Sequence, residues 1–509
     1  MNINQAKNYI KNDVSLYLSK DEWGEYRIPV VRQRPIFLLG APGIGKTAIM
    51  EQVASELGIA LVSYSMTHHT RQSALGLPFI KHEEYEGMEY DVSEYTMSEI
   101  IASIYSVMRD SGVKEGILFL DEINCVSETL APSMLLFLQY KVFGKHKVPD
   151  GWVIVTAGNP PEYNKSVREF DVVTMDRLKV LEVEADYDTW KKYARENNIR
   201  SEITSFLELH KDYFYHMEMT VKGRSYVTAR GWEDLSTMLG LYSEKNLPVD
   251  ETLVGQYIRN DKIVKEFTAY YDLFNKYKKD YRLEDILSGN PPESAFARGS
   301  KAGFDERLSV LGMLMDKMLA EVRDVMETSD YLTELIRLLR LLKESIAKEN
   351  AEDSSYVVGY LEKLSEGQKK KKEQLARANS LSLQDKDKYR RLISFISVSI
   401  KHLVEKGNDR KTANDAFSVV RSSFDDEVAE MKESVAIVKK RMHNLFDYVS
   451  KAFEEGNEML LLVTELTVNE NSARFIAQFG LEDYTRASET LMISERQDSI
   501  KQEIMELDI

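Results

Sequence analysis

Cysteine is almost missing from this chain: one residue in 509, Cys125. That excludes an intrachain disulfide framework and fits a reducing compartment. The eight histidines are scattered, so no metal-ligand spacing is legible, and the pair His68-His69 reads as surface or loop. No apolar run approaches the ~20 residues that span a bilayer. Met1 to Lys20 lacks the basic start and unbroken apolar core of a signal peptide; Ile3, Ala6, Ile10, Val14 and Tyr17 are instead spaced as on one helix face. A cytoplasmic protein is the expectation. Net positive charge is missing too. The formal charge of −16 counts against nucleic acid as the main ligand, while leaving room for a local basic patch.

What is present starts with an apolar run, Pro35 to Leu39, that enters Gly40-Ala41-Pro42-Gly43-Ile44-Gly45-Lys46-Thr47 and then a helix-like segment, Ala48–Leu57. This strand, glycine-rich loop and helix order is what a nucleoside triphosphate site requires. The glycines let backbone N–H groups close around phosphate oxygens, and the helix N-terminus adds partial positive charge. Lys46 is expected to reach the β- and γ-phosphates, and the Thr47 hydroxyl to bind Mg²⁺.

A chain of this length exceeds one core, so roughly two to four domains are expected. From about Arg27 to Asp186, short β-like runs alternate with helix-like segments, predicting a parallel sheet covered by helices. The strand candidates are Ile36–Leu39, Leu61–Tyr64, Gly116–Leu120, Trp152–Ala157 and Val180–Val183, with helices at Ala48–Leu57, Met97–Asp110 and Leu130–Gln139. Lys141 to Val148 reads as a hairpin turning at Gly144. Residues 1–26 are expected to carry an N-terminal helix, 27–186 the nucleotide-binding core, and 187–290 a helical lid without further strands. Residues 291–303, with Pro291-Pro292, read as a linker.

Beyond it, 304–509 repeats apolar residues at three–four spacing, which predicts an α-helical bundle or coiled coil. The series Phe417 to Val449 predicts one helix of about 40 residues. The run Lys369 to Lys372 is placed between helices, as a solvated loop or an anion-docking patch. Residues after about Pro291 are expected to form a separable arm, so that 1–290 folds and binds nucleotide alone.

Gly116-Ile117-Leu118-Phe119-Leu120-Asp121-Glu122-Ile123-Asn124 is an apolar strand ending in two carboxylates, at the sheet edge where ligands bind. Asp121 is expected to hold Mg²⁺ directly or through water, and Glu122 to act as general base on the attacking water. Trp152 to Ala157 is a further β-run, followed by Gly158-Asn159-Pro160. Asn159 is placed either to orient water against the γ-phosphate or to make an Asn-Pro turn, roles that are compatible.

Together these motifs, with Met175-Asp176-Arg177-Leu178, resemble the AAA+ ATPases, and within them the MoxR-like and dynein-related group. The narrower likeness rests on D-E-I-N, Gly76-Leu77-Pro78-Phe79 and Asn159-Pro160, and the resemblance covers about Arg27 to Tyr242. It implies an ATPase using ATP and Mg²⁺, with Asn159 as sensor 1 and Arg177 as an arginine finger acting on a neighbouring subunit. The alternative for Arg177 is a salt bridge to Asp176 or another acid. The resemblance places a lid sensor at Arg230, with Arg224 as competitor. A guanidinium in either place would stabilise charge on the transferring phosphoryl group. Cys125 stands where many MoxR-like proteins carry arginine after D-E-I-N.

The resemblance further implies a self-assembled ring, commonly of six subunits, acting as a remodelling motor or chaperone on a protein client such as a von Willebrand factor A domain partner. Two other classes compete: a nucleotide-gated scaffold with slow hydrolysis, and a nucleic-acid motor of the restriction-system kind. Acidic balance and the lack of an aromatic-rich basic segment count against the last.

Overall fold

The structure is a computed structural model, which describes residues 1–68, 74, 76–143, 145–163, 167–197, 199–220, 223–405, 412–453 and 457–491. They divide into two compact units, Met1–Thr189 with Glu366–Ile393, and Trp190–Ser365 with the described residues from Ser394 onward.

The first unit opens with α1 (Ile3–Tyr17), started by a capping box between Asn2 and Gln5. Then come β1 (Ile36–Gly40), α2 (Lys46–Leu57), β2 (Ala60–Ser65), β3 (Pro78–Tyr85), β4 (Met88–Tyr95), α3 (Glu99–Ser111), β5 (Gly116–Asp121), α4 (Ala131–Tyr140), β6 (Val142–Phe143), β7 (His146–Lys147), β8 (Trp152–Gly158), α5 (Val172–Met175) and β9 (Lys179–Val183). Five of these strands form one parallel sheet in the order β2-β5-β8-β1-β9. All five lie within a residue of the runs read from the sequence, because strands buried on both faces are nearly continuous in Val, Ile, Leu and Phe. The result is a P-loop NTPase core, a parallel sheet flanked by helices.

The hairpin β6–β7 also forms, with Gly144 outside the described residues. The larger antiparallel hairpin β3–β4 had no counterpart in the sequence reading, because its strands are polar on both faces.

The second unit takes up α6 (Tyr187–Glu196), α7 (Ser201–Leu209), β10 (His216–Thr220), β11 (Gly223–Val227), α8 (Ala229–Glu244), α9 (Glu251–Tyr257), α10 (Asp261–Tyr281), α11 (Leu283–Leu287) and α12 (Glu293–Gly299). Its long helices are α13 (Phe304–Lys348), α14 (Ser354–Arg377), α15 (Leu383–Glu405) and α16 (Ala413–Ala452), followed by α17 (Glu458–Val468) and α18 (Glu470–Phe479). The apolar series from Phe417 is a helix of 40 residues, while the two series from Leu308 to Ile346 merge into one of 45.

Four expectations need correction. The 187–290 region is not free of strands, since β10 and β11 pair antiparallel. Residues 291–303 are not an exposed linker: α12 packs there, with the Tyr448 hydroxyl donating to the Ala295 carbonyl at 3.2 Å. Phe274 and Tyr281 of α10 share one apolar core with Leu314 and Met318 of α13 and Leu445 of α16. Lid and arm are therefore one packed body, against the expectation that the arm separates at Pro291. Lys369 to Lys372 are not in a loop between helices but within α14.

The chain of α14 leaves the second unit and α15 returns to it, so that their junction belongs to the first. There the Ala378 carbonyl accepts from the Leu61 amide at 3.0 Å, and Asn379 Nδ2 donates to the Leu61 carbonyl at 3.3 Å. Ala378 is fully buried among the apolar residues of the core. The turn thus covers the free edge of β2, which would otherwise expose unpaired backbone groups.

Candidate nucleotide site

Parallel pairing aligns the C-terminal ends of four strands. Ser65 stands opposite Asp121, and Leu39 opposite Gly158, so the residues after β1, β2, β5 and β8 meet along one edge. The loop after β1 turns through left-handed Gly43 and Gly45, with φ of 75° and 96°, a region where a side chain is strained. Gly40 is constrained differently: a Cβ there would lie 2.5 Å from the Val183 carbonyl oxygen. Helix α2 starts at Lys46, two residues earlier than expected, and Gly45 gives it no side-chain cap. Its first amides are thus left to bind an anion.

Lys46 is buried, and its Nζ donates to the carbonyls of Gly40 and Ala41 and to Asn159 Oδ1, each at 2.8 Å. The Thr47 hydroxyl donates to Asp121 Oδ2 at 2.8 Å. Asn124 Nδ2 donates to the Asn159 carbonyl at 2.8 Å, which holds the segment after β8 against the end of β5. A Cβ on Gly158 would sit 2.4 Å from Asn124 Oδ1, so this approach requires glycine. Glu122 has left-handed backbone at φ 55°, a strained setting typical of functional turns. Its amide donates to Asp121 Oδ1 at 2.9 Å.

Glu122 Oε2 accepts from the hydroxyls of Ser65 and Thr67, both at 3.0 Å. Neither hydroxyl was singled out from the sequence. The legible signal would have been two hydroxyl residues at the C-terminal end of the strand that pairs with the one bearing Asp121. The Cys125 thiol is pushed up by burial, then by the charges of Glu122 and Asp121, so it stays protonated and unreactive.

The structure brings together Gly40 to Thr47, Asp121, Glu122 and Asn159. Arg177 is elsewhere. It precedes Lys179, which pairs with Ile36 at the start of β1, so it lies at the opposite end of the sheet. One strand of five residues separates the two edges, ~15 Å at ~3.3 Å per residue. Arg177 is exposed and, among the described residues, makes no ion pair with Asp176 or another carboxylate. Its charge contributes to lowering the Asp171 carboxyl, behind hydrogen bonds from Thr174. Arg230 belongs to the second unit, exposed in the first turn of α8, which Thr228 caps. The Arg224 backbone lies in β11, opposite Met219, and its side chain falls outside the described residues.

ATP and Mg²⁺ fit what is present. A glycine loop with uncapped helix amides and a buried lysine suits phosphates, and a hydroxyl set against a carboxylate is a hard oxygen pair suited to Mg²⁺. Fold and site define a P-loop nucleoside triphosphatase core. Within it, residues 36–173 match the model of the ATPase family associated with various cellular activities (AAA). The match supports an ATPase of the AAA+ class. No curated protein matches the chain.

Proposed function

We propose that the protein binds ATP and hydrolyses it with Mg²⁺, as a MoxR-like AAA+ motor that assembles into a ring, commonly of six. The reading rests on the meeting of Lys46, Thr47, Asp121, Glu122 and Asn159 at one sheet edge. Lys46, now held by two carbonyls and Asn159, exchanges these for phosphate oxygens. Thr47 and Asp121 would hold Mg²⁺, which neutralises phosphate charge when bound. Glu122 takes the proton of the attacking water, and Asn159 orients that water or the γ-phosphate. Arg177, beyond reach of its own loop, is aimed at a neighbour's nucleotide; Arg230 is the lid arginine. The client is a protein, a von Willebrand factor A domain partner being the reading the MoxR likeness supports.

The hold of Ser65 and Thr67 on Glu122 favours a second reading, a nucleotide-gated scaffold with slow turnover. In that reading the two hydroxyls hold Glu122 away from the attacking water until it swings free.

The test separates binding from chemistry. Lys46→Ala should lose nucleotide affinity, measured by fluorescent ATP-analogue titration, because the cation on the phosphates is gone. Glu122→Gln should bind ATP normally and stop turnover. Hydrolysis at the normal rate in Glu122→Gln would sink the general-base assignment.

A further inference from the structure

Two hairpins of the first unit carry opposite charge. The β3–β4 hairpin holds six carboxylates and one lysine between Pro78 and Tyr95, and the α14–α15 junction holds nine lysines and arginines against four carboxylates between Glu366 and Ile393. Each hairpin has an unsatisfied part. In the first, Glu84 stands directly opposite Glu89 across the ladder, and Glu86 occupies the turn with left-handed backbone. Like charges facing each other across a strand pair destabilise it. Other carboxylates of this hairpin have local partners: Glu83 and Glu94 pair with Lys81 and Lys145, and Asp91 Oδ1 lies 2.6 Å from His82 Nδ1. Glu84, Glu86 and Glu89 are exposed and, among the described residues, have no cationic partner.

Among the described residues this hairpin pairs with no further strand, and a two-stranded ribbon alone is marginal in water. Its apolar residues are left outside, Ile80 67% exposed, Met88 59% and Tyr85 55%. On the helical side, Lys369 to Lys372 are four like charges within one turn of α14. Among the described residues only Lys370 is paired with a carboxylate, Glu366 at 2.9 Å, while Lys371 lies 6.0 Å from the Tyr389 ring. No ion pair among the described residues joins Lys369–Lys372 to the acidic hairpin.

We propose that the acidic tip of β3–β4, Glu84, Glu86 and Glu89, docks on Lys369–Lys372 of a second copy of this chain. Each copy then presents one acidic and one basic surface, a head-to-tail contact that closes into a ring if the rotation allows. Tyr85 and Met88, at the same tip, supply the apolar area that charge alone does not. The contact deepens the oligomer part of the proposed function, and it can fail without it.

Sedimentation velocity of the full-length protein with ATP tests it. Replacing Lys369, Lys370, Lys371 and Lys372 by glutamate should raise the self-dissociation constant about tenfold or more, and high salt should do the same to the unaltered protein. Glu84→Lys with Glu86→Lys and Glu89→Lys should weaken assembly equally. Mixing the two charge-reversed proteins, or combining all seven changes, should restore it, with helical circular dichroism unchanged throughout. Assembly untouched by either reversal overturns the contact and leaves the oligomer reading standing. A chain monomeric under every condition overturns both. Loss of salt-sensitive duplex DNA retention in the lysine variant, with assembly intact, assigns the patch to nucleic acid and overturns the proposal.

Discussion

In the first unit the chemistry-bearing residues sit where strands end; in the second, charged residues are spent on holding helices together. Lys46, Thr47, Asp121, Glu122 and Asn159 meet because parallel strands deliver their C-terminal ends to one edge. The second unit places Lys191 of α6 between Glu208 of α7 and Glu465 of α17, at 2.5 and 2.7 Å, with Arg195 on the same Glu465. These pairs tie elements distant in sequence. Charge at a strand end is accessible and can act on a ligand, whereas charge between helices is costly and must be matched inside the fold.

Each unit also contains a buried group, and the pH consequences of the two can be compared. Burial, aided by the Lys147 charge, pulls Lys141 down from 10.5 to about 7; its Nζ donates to the Val30 carbonyl at 2.6 Å. In the second unit Asp316 retains some surface, yet its carboxyl is surrounded by protein. Burial pushes it up to about 7, with Ser201 opposing and Glu202 adding to the rise. The pH consequences are opposite. Between about 7 and 10.5 the unfolded chain holds a proton that folded Lys141 releases, so this group's contribution to stability rises with pH. Between 3.8 and about 7 folded Asp316 holds a proton that the unfolded chain releases, so its contribution falls as pH rises.

The largest effect that would break this division concerns the supposed arm. Residues 1–290 expressed alone should leave 190–290 without a cooperative melting transition, because Phe274 and Tyr281 lose their partners on α13 and α16. Each fully buried side chain is worth ~1.5–3 kcal/mol. A fragment showing two clean calorimetric transitions would make lid and arm separable after all.

Next is the catalytic step. Arg177→Ala should bind ATP normally and hydrolyse it ~10³-fold more slowly. Mixing it with Lys46→Ala should recover activity, since mixed neighbours rebuild intact sites. Absence of rescue in a proven co-assembly would confine the site to one subunit.

A smaller effect falls on stability. Lys141→Met should stabilise the first unit at pH 7 by about 1–3 kcal/mol, because an amine no longer has to give up its proton on burial. The gain should vanish as pH approaches 10.5, the ordinary value of the lysine. Thermal melts across pH read this directly, and a gain independent of pH would point to packing alone.

The smallest effect sharpens the site. Ser65→Ala with Thr67→Val should raise basal ATP turnover a few-fold, about 1 kcal/mol off the barrier, by releasing Glu122. Slower turnover would mean that the hydroxyls position Glu122 for catalysis.

Much of the first unit was readable because its signals are local. Gly40 to Thr47 are eight consecutive residues, and Leu120-Asp121-Glu122 couples an apolar run to two acids without reference to anything distant. The β3–β4 hairpin was not readable, since Lys81 to Tyr90 alternate neither apolar nor polar residues in a strand's period. Nor were Ser65 and Thr67, whose relation to Glu122 exists only once β2 lies beside β5. In the second unit, three–four spacing announced helices at Leu308 and Phe417 but could not say which faces meet. Pro291-Pro292 misled for the same reason: proline ends a helix, yet says nothing of whether the next one packs.

By itself the sequence determined the parallel core, the phosphate loop, the acid pair and the long helices, because each follows from neighbouring residues and the periods of strand and helix. Tertiary structure alone decided that Arg177 lies at the end of the sheet opposite its own loop, that Ala378 and Asn379 seal the edge of β2, and that lid and arm share one core. Those outcomes depend on contacts between residues tens to hundreds of positions apart, which no local pattern encodes.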